Sequence, residues 1–273
     1  ILCAAVLLYA IVTYETKVNY VVSNGTITSC VTNAKKLVVP RSINGEILTA
    51  IGNKAFANNT SMVSVEISDG ITELKDEAFY KCSTLREIYL SKSVAYVSPI
   101  AFMECPLLTK IEVDFNNRIY ESFNGILFKA GKKELVCFPV GFIRSEYYIP
   151  HGTMIIGEKA FYKCPLYTAY IPQTVTRIEN YAFAESTKME TISLPANLMY
   201  LGENVFKGNG SLRSISIGTG VEIQENSVGN KSFYDQYQIH GAGTYVKTGN
   251  DQWEYIKDKD WFTYLISLYF LSK

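Results

Sequence analysis

The sequence predicts a β-rich α/β solenoid, in which coils of about 22–23 residues stack on one another through short helical turns, with one β-hairpin insertion. Three observations carry this reading. An Ala-Phe pair at 55–56 returns at 78–79, 101–102, 160–161 and 182–183, with Val205-Phe206 and Ser227-Val228 as weaker echoes, in steps of 23, 23, 59, 22, 23 and 22 residues. Each coil also offers apolar residues at positions 1, 4, 6, 10 and 13 ahead of the pair, as Leu85, Ile88, Leu90, Val94 and Val97 do before Ala101-Phe102. Between the segments fall turn residues: Gly52, Asp69-Gly70, Gly157 and Gly202.

Within a coil, positions 4 and 6 alternate with polar residues, the period-2 signature of a strand with one buried face. The stretch ending at position 13 reads as a second, shorter extended piece. Ala-Phe-x-x-Cys then reads as a tight helical turn, its alanine allowing close backbone approach and its phenylalanine filling the core. No coil buries this set alone, so stability must come from nearest-neighbour stacking. About seven such coils at roughly 4.8 Å each give a stack on the order of 35 Å long.

The 59-residue step marks an insertion at about 114–150. Asn124-Gly125 and the run Ala130-Gly131-Lys132-Lys133 are turn signals flanking apolar strands. Solenoid coils are thus expected over 26–229. Residues 1–25 read as a truncated secretion signal or an N-terminal cap, because the apolar run 1–12 has the length of a signal core but is too short for an ordinary membrane span. Residues 230–273 read as a C-terminal cap or tail, with a short closing hairpin from Gly241 to Trp253; an anchor is the remaining reading of either apolar end.

The pattern Leu-x-x-Ile-x-Leu-Pro-x-x-Val-x-x-Ile-Gly-x-x-Ala-Phe-x-x-Cys is matched closely by Ile155-Ile156-Gly157-Glu158-Lys159-Ala160-Phe161-Tyr162-Lys163-Cys164 and by Ile192-Ser193-Leu194-Pro195. It resembles the BspA-like leucine-rich-repeat family of surface proteins over roughly residues 26–229. The resemblance implies a right-handed leucine-rich-repeat solenoid, a secreted or cell-surface location and an adhesive, non-catalytic role.

Lys+Arg and Asp+Glu both total 26, and no basic run interleaved with aromatics appears, which argues against a nucleic-acid partner. Cys82, Cys105 and Cys164 each fall three residues after the repeat phenylalanine, where other coils place Asn59, Ser186 and Asn209. That substitution set describes one structural rung with reduced, buried thiols rather than bridges or a metal site. Neither His151 nor His240 has Cys or carboxylate help at zinc-ligand spacing. No nucleophile elbow or phosphate-binding glycine loop occurs, so no enzyme, cofactor or metal is expected; a hydrolase remains the remote alternative.

The candidate surface is the outward row of the longer strands. Glu66, Tyr89, Glu112 and Tyr170 occupy the position between the two buried residues, and Glu87 and Lys110 lie two residues before in their coils. These six form the expected ligand-binding set, with Tyr89 and Tyr170 as aromatic anchors. The expected partner is a protein or glycan on a host or neighbouring cell surface, and membrane contact is confined to a terminal anchor. The plainer alternatives are that the row is only the solvated side of a sheet, and that the chain is a spacer displaying another domain.

Overall fold

The computed structural model describes residues 16–257, so the apolar run 1–12 and the segment 258–273 lie outside the described residues. Stacked coils of about 23 residues make a β-solenoid of about nine turns. Each regular coil contributes a longer strand and a two-residue strand to two separate parallel walls. The long strands Lys36–Val39, Ser64–Ile67, Glu87–Leu90 and Lys110–Val113 form one four-stranded wall. Their alternating burial follows the alternation of the sequence: Val65, Ile67, Ile88 and Leu90 face inward, while Glu66 and Tyr89 face out. The short strands Ala50–Ile51, Glu73–Leu74 and Tyr96–Val97 form the second wall, headed by the antiparallel pair Val18–Ser23 and Thr26–Thr32.

The Ala-Phe corner is a pair of β-turns rather than a helical turn. The residue before the alanine and the residue two after the phenylalanine both take positive φ, as in Lys54 and Asn58, Glu77 and Lys81, Lys159 and Lys163, and Tyr181 and Glu185. Left-handed residues at both ends stop a helix from propagating, and the corner closes with N–H bonds to the carbonyl three residues back, such as Tyr80 to Glu77 (2.8 Å) and Tyr162 to Lys159 (3.0 Å). The remaining groups bond across coils. The phenylalanine N–H donates to the carbonyl of the alanine in the next coil: Phe56 to Ala78 (2.8 Å), Phe79 to Ala101 (2.8 Å) and Phe161 to Ala182 (2.7 Å). The rings stack in step, with centroids 5.0 Å apart for Phe56–Phe79 and 4.8 Å for Phe161–Phe183. Three residues on, Cys82 Sγ donates to Phe56 O (3.1 Å), Cys105 Sγ to Phe79 O (3.0 Å) and Ser186 Oγ to Phe161 O (2.8 Å). Five cysteines among the described residues are free thiols, and Cys30, Cys82, Cys105 and Cys164 are buried.

The insertion is shorter than 114–150. The antiparallel hairpin Tyr120–Phe123 and Ile126–Lys129 turns on Asn124 (φ 53°) and Gly125 (φ 81°), the left-handed pair a tight hairpin demands. The chain then rejoins the stack. Glu134–Cys137 pairs in parallel with Ile155–Ile156, and Glu146–Tyr148 pairs in parallel with Thr168–Tyr170. Cys137-Phe138 takes the place of Ala-Phe: Phe138 N–H donates to Ala160 O (2.7 Å), and its ring stacks on Phe161 at 5.0 Å. Residues 134–150 therefore complete a coil whose corner is disguised by Cys137, Pro139 and Gly141.

The hairpin sits between two apolar cores. Ile126 and Phe128 point into the C-terminal core, and Leu127 and Tyr120 into the N-terminal one. All are buried, because strand alternation gives each core one face. The loop after Phe138 is pinned by Gly141, whose N–H donates to Leu108 O (2.8 Å) and where a Cβ would lie 2.6 Å from the Leu107 carbonyl carbon. Past the last coil, the helix Ser232–His240 and the hairpin Gly243–Lys247 with Trp253–Ile256 cover the stack. Gly243–Lys247 pairs antiparallel with Ser214–Ile217, and Phe233 packs edge-on against Tyr245 and Trp253. The helix is an addition to the hairpin expected there.

Two substitutions test this packing. Phe183→Ala, which removes a fully buried ring, is expected to cost about 3–5 kcal/mol in chemical denaturation; a loss under about 1 kcal/mol would show that the ladder does not bear the stability. Gly141→Ala is expected to cost about 1–3 kcal/mol, because its new methyl meets backbone that cannot yield.

Candidate functional site

The pairing register places the outward residues in rows. Val38, Glu66, Tyr89 and Glu112 are successive neighbours in one row, and Lys36, Ser64, Glu87 and Lys110 in the next. Glu66, Glu87, Tyr89 and Glu112 line one shallow depression of about 380 Å³, together with Lys36 and Val38. Lys110 joins it through its ion pair with Glu112 (3.1 Å). The Tyr89 hydroxyl donates to Asp114 Oδ2 at 3.0 Å. Desolvation, and then that bond, push the Tyr89 phenol upward, so it stays a neutral donor. The Asp114 carboxyl is held low, first by the Asn116 backbone N–H and also by the Tyr89 hydroxyl. Five of the six expected residues are thus brought together.

Tyr170 is not among them. It lies beyond the hairpin, where its ring stacks on Tyr148 with centroids 4.2 Å apart and planes 14° from parallel. Both rings are open to solvent, Tyr148 63% and Tyr170 45% exposed, which makes them an aromatic platform rather than core. The Tyr170 hydroxyl donates to Glu146 Oε2 at 3.2 Å. Its pKa is raised, first by the neighbouring Tyr148 hydroxyl and also by Glu146. The row continues as Ser193 and Ser216, with Ser216 Oγ and Thr244 Oγ1 2.9 Å apart. Tyr148 belongs to the segment expected to be insertion. A signal for it stands in the sequence: Tyr148-Ile149-Pro150 repeats as Tyr170-Ile171-Pro172 one coil later.

The remaining candidates for chemistry are accounted for by structure. His151 lies exposed in the turn after Pro150, and His240 stacks flat on Tyr255 at 4.6 Å. Among the described residues, no group of three or more His, Cys, Asp or Glu is placed to hold a metal ion. Among those residues, too, no helix is long and apolar enough to cross a membrane.

A stack of short parallel strands with an outward side-chain row defines the chain as a repeat scaffold of the leucine-rich-repeat class. The profile of the BspA type leucine rich repeat region matches residues 26–130 and 145–242 in six copies, and the chain belongs to that family. No curated protein matches it in sequence. Among solved structures it is similar to a leucine-rich repeat protein from Eubacterium ventriosum, at 18% identity and TM-score 0.53, over 77% of this chain and 71% of the other. It is also similar to a leucine rich cell surface protein from Faecalibacterium prausnitzii, at 18% identity and TM-score 0.46, over 80% and 85% of the two chains.

The tyrosine pair makes a spectroscopic prediction. In Tyr148→Phe the largest cause of the raised Tyr170 pKa is gone, so Tyr170 should ionise at lower pH than in the parent chain. Phenolate absorbance during alkaline titration measures this; an unchanged or higher midpoint would contradict the influence of Tyr148 on Tyr170.

Proposed function

We propose that the chain is a non-catalytic binding module, secreted or exposed on a cell surface, that recognises a protein or glycan partner through the outward face of its long strands. The observation that carries this reading is the Tyr148–Tyr170 platform, two stacked and solvent-open rings with Glu146 beside them. Flat aromatic area ordered in advance loses little conformational freedom on binding, which is why tyrosine anchors so many interfaces. The depression around Glu66, Glu87, Tyr89 and Glu112 supplies a second, charged contact zone on the same kind of face. Membership of the BspA-type family supports the surface location.

The test is binding of the chain to arrays of extracellular-matrix proteins and glycans. Tyr148→Ala/Tyr170→Ala and Glu66→Ala/Tyr89→Ala variants run beside it. A saturable ligand whose affinity falls about tenfold or more in the tyrosine-pair variant is the expected result. Loss only in the Glu66/Tyr89 variant would move the site to the depression. Binding unchanged in both would overturn the strand-face reading.

A further inference from the structure

The phenylalanine ladder is interrupted once, and the interruption is a cleft. Stacking runs Phe56–Phe79–Phe102, then resumes as Phe138–Phe161–Phe183–Phe206. The backbone bonds between corners stop and resume at the same places: Phe79 donates to Ala101, and the series restarts with Phe138 donating to Ala160. Between the two half-ladders lies a cavity of about 420 Å³ lined by both terminal rings, Phe102 and Phe138. Its volume is in the range of small-molecule sites, about 300–1,000 Å³. Phe102 is 7% exposed where Phe79 and Phe161 are 0%, so the ring at the break faces an opening.

The walls are apolar and held in place. Ile100, Met103, Pro139 and Val140 complete the lining around the rings. The Cys137 thiol also lines the cavity, and burial pushes its pKa to about 12, so it presents a neutral sulfur. Leu108, on one wall, is tied to Gly141 by the 2.8 Å backbone bond, which fixes the loop carrying Pro139 and Val140. The polar part of the lining is unbalanced: Lys159 and Lys163 stand against Glu104. Glu104 is drawn on from both sides, by Lys163 at 2.8 Å and by Lys81 outside the cavity at 3.6 Å, which hold its carboxyl low. Glu158, also outside the lining, pairs with Lys159. Glu185, outside the lining, also acts on Lys163, so three ammonium groups and three carboxylates gather around the mouth, while within the lining itself two lysines face the single carboxylate of Glu104.

We propose that this cleft binds a small aromatic anion, whose ring enters between Phe102 and Phe138 and whose carboxylate or sulfonate meets Lys159 and Lys163. The ring continues the stacking that the insertion interrupts, at the roughly 5 Å spacing the ladder already has. The anion meets the two lysines that line the cleft with charge-assisted hydrogen bonds. The site is separate from the strand face and does not depend on it.

The test is fluorescence titration of the chain with 8-anilinonaphthalene-1-sulfonate, competed by 3-phenylpropionate and by its neutral counterpart 3-phenylpropanol. Saturable binding at one site per chain is expected, with the carboxylate displacing the probe about tenfold better than the alcohol. Lys159→Gln/Lys163→Gln should weaken the probe about tenfold, and Val140→Trp, which fills the cavity, should abolish binding. Met103→Trp fills it from the opposite wall and serves if Val140→Trp does not fold. Thermal melting of each variant reports that the fold is kept. Probe binding undiminished in a folded tryptophan variant, the absence of saturable binding, or equal competition by acid and alcohol would each overturn the proposal.

Discussion

The geometry of the molecule depends on one contact repeated along each half of its axis: the phenylalanine of a corner gives its N–H to the carbonyl before the next phenylalanine (that of Ala78, Ala101, Ala160 or Ala182, and of Val205 for Phe183) while its ring stacks on the next ring. The hydrogen bond and the ring spacing, both set by neighbouring coils, require nearly the same rise per coil as a parallel strand pair. A smaller residue than phenylalanine would leave the axis hollow, while the position before it tolerates valine at Val205 and cysteine at Cys137. The thiol or hydroxyl of the next coil gives the phenylalanine carbonyl a donor from across the stack, in addition to the backbone N–H that Phe79 and Phe161 accept within their own corners. Cysteine, serine and asparagine interchange there because the rung asks only for a small polar group. That requirement accounts for Cys82, Cys105 and Cys164.

The hairpin divides this regular stack into two cores while keeping them joined. Its strands bury residues on both sides, so it acts as a shared wall and not as a surface loop. Both long-strand and short-strand walls are interrupted at the same level. The corner edge, where Phe102 and Phe138 end their ladders, is left open, while Gly141 closes the other side against Leu108. A single departure from periodicity thus makes the one break in the ring stack and leaves a cavity between its two halves. It also divides the outward face into a charged part before the hairpin and a tyrosine and hydroxyl part after it.

The periodic features were legible in the chain because they are local. Strand alternation, the turn glycines and the recurrence of Ala-Phe each depend on residues a coil or less apart, and in a solenoid contacts between coils follow the same period. The outward positions of Glu66, Glu87, Tyr89, Lys110 and Glu112 follow from alternation alone. Ala-Phe-x-x-Cys suits a helix by composition, and the left-handed flanking residues that make the corner a pair of turns, lysine and glutamate among them, carry no strong turn signal.

What the sequence by itself determined is the coil and its inward and outward faces, since a repeated one-dimensional pattern can be stacked in register in only one way. What only the tertiary structure decided is where the stack resumes after the hairpin. Cys137-Phe138 keeps the spacing of the following coils but lacks the alanine that would mark it, and parallel pairing with the next coil puts it, and Tyr148 after it, back in place. The Tyr148–Tyr170 platform and the cleft between Phe102 and Phe138 both follow from that placement. The cleft joins residues across the irregular step, where sequence separation no longer reports distance in space, and packing against the next coil decides which side chains meet.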